Sequence, residues 1–134
     1  MRRPIISYSD RLEDVLLYRA LGEILGGFYI DVGANHPEML SVTKLFYELG
    51  WSGINIEPSR FWFDALLRQR PRDINLCIAA GSANGTAEFH DMIGTGLSTM
   101  VAEYARRHES AGFERRTYSV PVRRLEDICD EHVR

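Results

Sequence analysis

The segment from Phe28 to Pro37 restricts the fold more than any other part of the chain. It reads FYIDVGANHP, so a short apolar strand carries Asp31 into a turn of three small residues, Gly33, Ala34 and Asn35. Glycine permits a positive φ or a close backbone approach, and asparagine tolerates a left-handed conformation. In α/β proteins, such a turn at the carboxyl end of a strand forms part of a nucleotide pocket. The segment therefore predicts an α/β fold with a binding site at a strand tip.

A second acid follows the next predicted strand. The apolar strand 53–56 ends in Glu57, which precedes Pro58. An acid at the tip of the second strand can accept hydrogen bonds from two ribose hydroxyls as a pair. The alternative is a solvated acid that favours the N-terminus of the helix starting near Ser59.

Helical and strand patterns alternate through residue 80. Ser9 or Asp10 can cap a first helix, with Glu13 in capping-box spacing after Asp10, and apolar residues at helical period then continue to the Gly26–Gly27 pair. The other predicted elements here are strand 28–32, helix 41–49, strand 53–56, a helix capped by Ser59 through about Gln69, and strand 74–80. Strands alternating with helices in this way predict βαβ units and a parallel sheet.

The pattern changes after residue 80. The dipeptide Asn84–Gly85 is a strong signal for a tight hairpin, and Thr86–His90 has the residues of a returning strand, so we expect an antiparallel excursion. Pro121 lies in the strand predicted for Thr117–Val122 and favours an edge or terminal position, because proline cannot donate to a ladder. The sequence also predicts two helices, Met100 to about Glu109 and Arg124 to about His132.

Composition narrows the class of protein. The 134 residues are 45% hydrophobic with a net charge of −3, which fits a single soluble domain over residues 1–134 and gives no basic footprint for nucleic acid or an anionic membrane. Cys77 lies in a predicted buried strand and Cys129 in the last predicted helix; neither is in a ligand-spaced pair, which suits a reducing cytosol. No apolar run is long enough for a signal peptide or a membrane span, so we expect a cytoplasmic protein. The histidines are scattered without an HExxH motif, and no metal site is predicted.

Five groups of residues occur in an order that is typical of one protein family. They are Ile6–Ser9 with Glu13–Asp14, Gly27–Asn35, Gly53–Pro58, Gly94–Thr99, and Val120–Val122 leading into Leu125–Asp127. Together they resemble the FkbM family of S-adenosylmethionine-dependent methyltransferases. The resemblance implies a Rossmann-like class I methyltransferase sheet with flanking helices, and S-adenosylmethionine as the cofactor.

The resemblance also implies roles for the residues at the two strand tips. The cofactor carries an ammonium, a carboxylate and a sulfonium, so its pocket needs an acid for the amine and backbone N–H groups for the carboxylate. Asp31 and the turn of Gly33, Ala34 and Asn35 offer that set, and Glu57 is expected to bind the ribose. The alternative for Asp31 is that it only caps the turn.

His36 is the candidate catalytic base, since an imidazole near neutral pH can take a hydroxyl proton during methyl transfer. The alternative is a histidine that only forms local hydrogen bonds before Pro37. The loop Gly94–Thr99 is either a lid or acceptor-binding lip, or only a connection. The expected reaction is O-methylation of a small-molecule acceptor, a sugar or other metabolite hydroxyl.

The family resemblance also predicts that this sequence lacks one motif of the family. In the family, an acidic motif beside the transferred methyl follows the helix at Leu125–Asp127, whereas this sequence stops at Arg134. We therefore expect a domain truncated before the fourth central strand, with an unpaired strand edge or an exposed apolar face that a homodimer or a partner chain could cover. The alternative function is a non-catalytic cofactor-binding module or a gene fragment. A dinucleotide-binding domain is disfavoured because no GxGxxG follows the first strand.

Overall fold

The computed structural model describes residues 4–133, which form two three-stranded sheets and five helices. The strands are β1 (Phe28–Val32), β2 (Ser52–Ile56), β3 (Ile74–Leu76), β4 (Ala79–Ala80), β5 (Gly85–Met92) and β6 (Arg115–Arg123). The helices are α1 (Glu13–Leu21), α2 (Lys44–Glu48), α3 (Arg60–Gln69), α4 (Ala102–Ser110) and α5 (Leu125–His132). The predicted mixed α/β class is confirmed in this form.

The first sheet has the order β1-β2-β3, and both strand pairs are parallel. Val32 at the end of β1 lies opposite Ile56, which lies opposite Leu76 at the end of β3. Because the strands are parallel, their carboxyl ends share one edge of the sheet. The segments after β1 and β2, which carry the predicted site, therefore start side by side.

Aliphatic side chains form the core of this sheet. Ile54 and Ile56 of β2 are 0% and 1% exposed and pack with Ile128 of α5. Burial of such a side chain contributes about 1.5–3 kcal/mol. β1 is less covered: within residues 4–133 it pairs only with β2, and its Phe28 and Val32 are exposed. β1 is thus an edge strand of the first sheet within these residues.

The predicted strand 74–80 is two strands in different sheets. β3 pairs with β2, whereas Ala79 and Ala80 pair in parallel with Val122 and Arg123 of β6. Cys77 lies in the link between them and not in a buried strand. The prediction of one strand was wrong because a continuous apolar run does not reveal where the chain leaves one sheet for another.

The predicted hairpin at residues 84–85 is also absent. β5 is antiparallel, as expected, but its partner is β6, with Gly85 opposite Val122. The side chain of Asn84 instead accepts a hydrogen bond from the Arg124 amide at 2.9 Å and donates to Asp127 at 2.8 Å. Asn84 therefore supports the start of α5, and β5 obtains its ladder from a distant strand.

Pro121 lies in the middle strand of the second sheet, whose order is β4-β6-β5, so the predicted edge position was wrong. On the β4 side, the carbonyl of Arg123 accepts a hydrogen bond from the Gly81 amide at 3.0 Å. Peptide groups alternate between the two sides of a strand, so Pro121 faces the same side as Arg123. The two residues of β4 pair only with Val122 and Arg123, and the missing N–H of Pro121 therefore costs no ladder bond.

The helices differ from prediction mainly at their starts. α1 begins at Glu13 after Leu12, which has φ 60°. The Ser9 hydroxyl accepts from the Asp14 amide in the first turn at 3.3 Å, so Ser9 acts as a cap although it does not directly precede the helix. The capping box is not formed, because the Glu13 carboxylate accepts from the Arg11 amide at 2.9 Å. α2 is shorter than predicted, whereas α3 begins after its predicted cap: the Ser59 hydroxyl accepts from the Trp62 amide at 3.5 Å.

Candidate functional site

The turn after β1 lies against the tip of β2. The amides of Gly33 and Ala34 both donate to the carbonyl of Ile56, at 2.8 and 3.2 Å. Gly33 has φ 74° and Asn35 has φ 55°, as the sequence predicted for both residues. These conformations are inexpensive for glycine and tolerated by asparagine, which explains the residue types in this turn.

Glu57 joins the two strand tips. Its Oε2 accepts from the Asn35 amide at 2.7 Å and its Oε1 from the Ser59 amide at 2.9 Å. The side chain is buried, with the residue only 4% exposed, so it is not the solvated acid of the alternative interpretation. Burial raises the pKa of Glu57, and the two amides oppose that rise. Each carboxylate oxygen has a further lone pair, so Glu57 can accept hydroxyl donors in addition to the amides.

Asp31 lies at the end of β1 and is partly buried. Its Oδ2 accepts a hydrogen bond from the Thr43 hydroxyl at 2.7 Å, and Oδ1 accepts none from residues 4–133. Burial raises the pKa of Asp31, whereas the Thr43 hydrogen bond and the charge of Arg70 lower it. Asp31 therefore keeps one carboxylate oxygen for a ligand.

Two recesses lie along these strand tips. The larger has a volume of about 420 Å³ and is lined by Asp31, Gly33, Ala34 and Asn35 together with the loop that precedes α2. The smaller has a volume of about 180 Å³ and contains Glu57. Both are lined by Gly33, Asn35 and Gly96. The five predicted cofactor residues thus line two adjacent recesses.

The loop 94–99 lies against this region and is held from two sides. The carbonyl of Thr95 accepts from Asn35 Nδ2 at 3.2 Å and from the Trp62 indole at 2.9 Å. The Ser98 hydroxyl donates to Asp91 at 3.1 Å. The backbone of this loop therefore contacts the turn after β1 directly.

His36 follows the turn, but one ring nitrogen is already in use. Its Nδ1 accepts from the amides of Glu38 and Met39 at 3.0 and 2.8 Å. The ring lies 5.0 Å from that of Trp62, between centroids. Because Nδ1 accepts, the neutral ring carries its proton on Nε2, which then has no lone pair to take a proton from a hydroxyl. This geometry resembles the local hydrogen-bonding alternative more than a catalytic base.

The comparison with known families identifies the domain. The sequence profile described as "Methyltransferase FkbM domain" matches residues 31–134. The chain belongs to this FkbM methyltransferase family. The match begins at Asp31 and includes the turn, Glu57 and the loop 94–99. Neither the curated proteins nor the solved structures compared with the chain give a significant match.

Membership in the FkbM family indicates a methyltransferase, a class that generally uses S-adenosylmethionine. No helix within residues 4–133 of this FkbM domain is long and apolar enough to cross a membrane. In the same range, no three His, Cys, Asp or Glu side chains cluster as a metal site would require.

The sequence alone did not identify the buried residues that hydrogen-bond to the strand-tip residues and stabilise their positions. Asp91 is 1% exposed and accepts from the hydroxyls of Ser59 at 2.8 Å and Tyr118 at 2.6 Å. Thr43 and Arg70 support Asp31 from the loop before α2 and from the end of α3. Local patterns carry no signal for these contacts. The only available hint was the presence of polar residues within otherwise apolar segments.

Proposed function

We propose that this chain binds S-adenosylmethionine across the tips of β1 and β2, and that the enzyme it represents transfers the methyl group to a small-molecule hydroxyl, of a sugar or another metabolite. The observation that carries the proposal is the pairing of two acids around one turn: Asp31, which lines the larger recess and whose Oδ1 accepts no hydrogen bond from residues 4–133, and Glu57, which lines the smaller one. The family match supports the same assignment.

The residues fit the chemical groups of the cofactor in two of three places. Asp31 Oδ1 can accept from the ammonium, and the remaining lone pairs of Glu57 can accept from the ribose hydroxyls. The amides of Gly33, Ala34 and Asn35 already donate within the protein, at 2.7 to 3.2 Å. They shape the turn, and the cofactor carboxylate would have to share them as second acceptors.

The chain's part in the reaction is positioning. The bound cofactor supplies a methyl group on a sulfonium, which is already a good leaving group. Asp31 and Glu57 would fix the amino-acid part and the ribose of the cofactor, on either side of the sulfonium, so that the acceptor hydroxyl meets the methyl in line. Removal of one proton would then complete the transfer. His36 could take that proton only if its ring first released the two amides that donate to Nδ1, because the neutral ring otherwise carries its own proton on Nε2.

The hydrogen bonds from two amides to Nδ1 of His36 favour a second candidate function, a cofactor-binding module without transfer activity. With Nδ1 of His36 engaged by the backbone, no imidazole in this turn is free at both nitrogens. The two candidates agree on cofactor binding and differ only in turnover. A methyl-transfer assay with simple sugars and hydroxylated metabolites separates them once binding is shown.

Calorimetric titration with S-adenosylhomocysteine tests the shared claim. We expect micromolar binding, weakened tenfold or more, about 1.4 kcal/mol, by Asp31→Ala and by Glu57→Ala. Asp10→Ala and Glu103→Ala remove exposed acids elsewhere and serve as matched controls. Absence of heat and of thermal stabilisation with a folded sample would refute cofactor binding by this chain.

A further inference from the structure

Arg70 is a buried cation that the proposed reaction does not use directly. It follows α3 and is 1% exposed. Its guanidinium donates to the carbonyl of Pro37 through Nε at 3.2 Å and Nη2 at 2.7 Å. Nη2 also donates to the Ser41 hydroxyl at 3.0 Å. One side chain thus holds both ends of the segment 37–41, which follows the turn after β1.

The other side of the guanidinium contacts the core of the first sheet. Nη1 donates to the Tyr29 hydroxyl at 3.1 Å and lies 3.5 Å from Asp73 Oδ2. The Asp73 side chain is 0% exposed and also accepts from the Gly53 amide at 2.9 Å and from Asn55 Nδ2 at 2.9 Å. The positive charge of Arg70 is therefore balanced inside the protein, which makes it a fixed point for the loop.

Arg70 reaches Asp31 through one further residue. Nη1 lies 3.4 Å from the Thr43 hydroxyl, and that hydroxyl donates to Asp31 Oδ2 at 2.7 Å. Residues 39–42, between the Pro37 and Thr43 contacts, line the larger recess beside Asp31. Arg70 thus supports both the acid and the loop that faces it.

We propose that Arg70 is a positioning residue of the cofactor pocket: it fixes the loop 37–43 and, through Thr43, orients the Asp31 carboxylate toward the larger recess. The proposal rests on the proposed function only in naming the cofactor as the ligand. Its structural part, the control of Asp31, is measurable without any ligand.

The groups around Asp31 allow the direction of a change in its pKa to be predicted. Burial raises its pKa, the Thr43 hydrogen bond and the charge of Arg70 lower it, and Asp73 raises it. Glu57 is the other acid that interacts with Asp31 across the strand tips. Loss of the Thr43 hydroxyl removes a donor to the carboxylate, so the pKa of Asp31 should rise.

Two variants and one control test this proposal. Thr43→Val keeps the shape of the side chain and leaves the buried Arg70–Asp73 pair intact. Arg70→Lys keeps the charge but loses the planar fork that joins Pro37 to Ser41. Arg72→Lys is the control, because Arg72 donates to the carbonyls of Tyr47 and Trp51 and contacts neither the loop nor Asp31. Circular dichroism identifies a temperature at which all variants are folded, and the variants are compared at that temperature.

The first measurement is the titration of the Asp31 carboxyl carbon by ¹³C NMR in the free protein. We expect a higher midpoint in Thr43→Val and no change in Arg72→Lys. The second is affinity for S-adenosylhomocysteine from about pH 5 to about pH 9. Because the ammonium needs an ionised Asp31, affinity should fall as the pH decreases through the pKa of this group, and the fall should begin at higher pH in Thr43→Val. Arg70→Lys should lose about tenfold in affinity at neutral pH.

Each outcome decides the proposal. An unchanged Asp31 titration in Thr43→Val, or wild-type affinity in Arg70→Lys, would overturn it. An equal loss in Arg72→Lys would also overturn it, since the effect would then be general destabilisation. If the wild-type chain binds no S-adenosylhomocysteine but Thr43→Val shifts the Asp31 titration, the proposed function fails while the control of Asp31 by this network stands.

Discussion

The amide of Asn35 donates to Oε2 of Glu57 across 2.7 Å, so the turn after β1 is tied to the acid at the tip of β2. The same carboxylate accepts a hydrogen bond from the amide of Ser59, the residue just before α3. A single side chain thereby fixes the relative positions of two segments that are proposed to bind the amino-acid part and the ribose of one cofactor. Any change at Glu57 should affect both the fold and the ligand site.

Glu57→Gln is expected to lower the free energy of unfolding by about 1–3 kcal/mol. Glutamine has one acceptor oxygen, so either the Asn35 amide or the Ser59 amide loses its partner. Urea denaturation measures the loss. Glu48→Gln is the control, because Glu48 accepts from the Tyr8 hydroxyl at an exposed site, where a lost bond is replaced by water. Equal losses in the two variants would contradict the prediction.

Asp31→Asn is expected to stabilise the fold at neutral pH while weakening S-adenosylhomocysteine binding. Burial raises the pKa of Asp31 in the folded state, so the folded chain holds this proton more tightly than the unfolded chain. The group's contribution to stability is therefore largest below its unfolded pKa and decreases as the pH rises through its folded pKa. Asparagine has no charge to bury and can still accept from Thr43.

Urea denaturation at neutral pH and near pH 4 checks the sign for Asp31→Asn. The gain should be larger at neutral pH than near pH 4, because a larger fraction of the wild-type carboxyl is protonated at the lower pH and carries no charge to bury. A gain that does not depend on pH would show that charge burial is not its cause. Asp10→Asn, at an exposed acid, should show no such gain.

His36→Asn and His36→Ala separate a structural histidine from a catalytic one. The Asn side chain can accept from the amides two and three residues ahead, as His36 Nδ1 does, whereas alanine cannot. We expect His36→Ala to lose about 1 kcal/mol of stability and His36→Asn to recover most of it. Methyl transfer retained in His36→Asn would exclude His36 as the base, and its loss with an intact fold and intact cofactor binding would support that role.

Trp62→Phe is expected to loosen the loop 94–99. It removes the indole N–H that donates to the Thr95 carbonyl and leaves the Asn35 contact in place. Amide hydrogen exchange in the loop should accelerate, and S-adenosylhomocysteine should dissociate faster. Trp51→Phe is the matched control, since its indole donates to the Ile24 carbonyl, away from the loop. Equal exchange in the two variants would rule out this contact as the restraint.

Val32→Lys tests the unpaired edge of β1. Val32 is 53% exposed at the end of that strand, and an apolar edge strand favours association with another chain. We expect the wild-type chain to show concentration-dependent association in analytical ultracentrifugation, and the lysine to reduce it. Val101→Lys changes an equally apolar side chain, 47% exposed, just before α4 and should have no effect. A wild-type chain that stays monomeric at all concentrations would refute self-association through this edge.

Local patterns predicted the parts of the fold whose structure is decided locally. β1, β2 and α3 follow from apolar strands, a serine cap and a turn whose glycine and asparagine adopt positive φ. The ends of β3 and the partner of β5 did not follow, because pairing with β6 depends on residues 23 to 43 positions away. The two acids at the strand tips could be located for the same local reasons. The residues that hold these strand tips in place could not be. Arg70 contacts Pro37, and Asp91 contacts Ser59, only after the chain has folded back.

The contact between Asn35 and the Thr95 carbonyl spans 60 residues of sequence. During synthesis, the turn after β1 leaves the ribosome well before the segment that covers it, and chains grow at about 5–20 residues per second. For several seconds the nascent chain contains both strand-tip acids but not yet the loop 94–99. A nascent chain of this protein should therefore be able to pair β1, β2 and β3 before the loop 94–99 reaches the turn after β1, so a ligand that needs both segments would bind late in its biosynthesis.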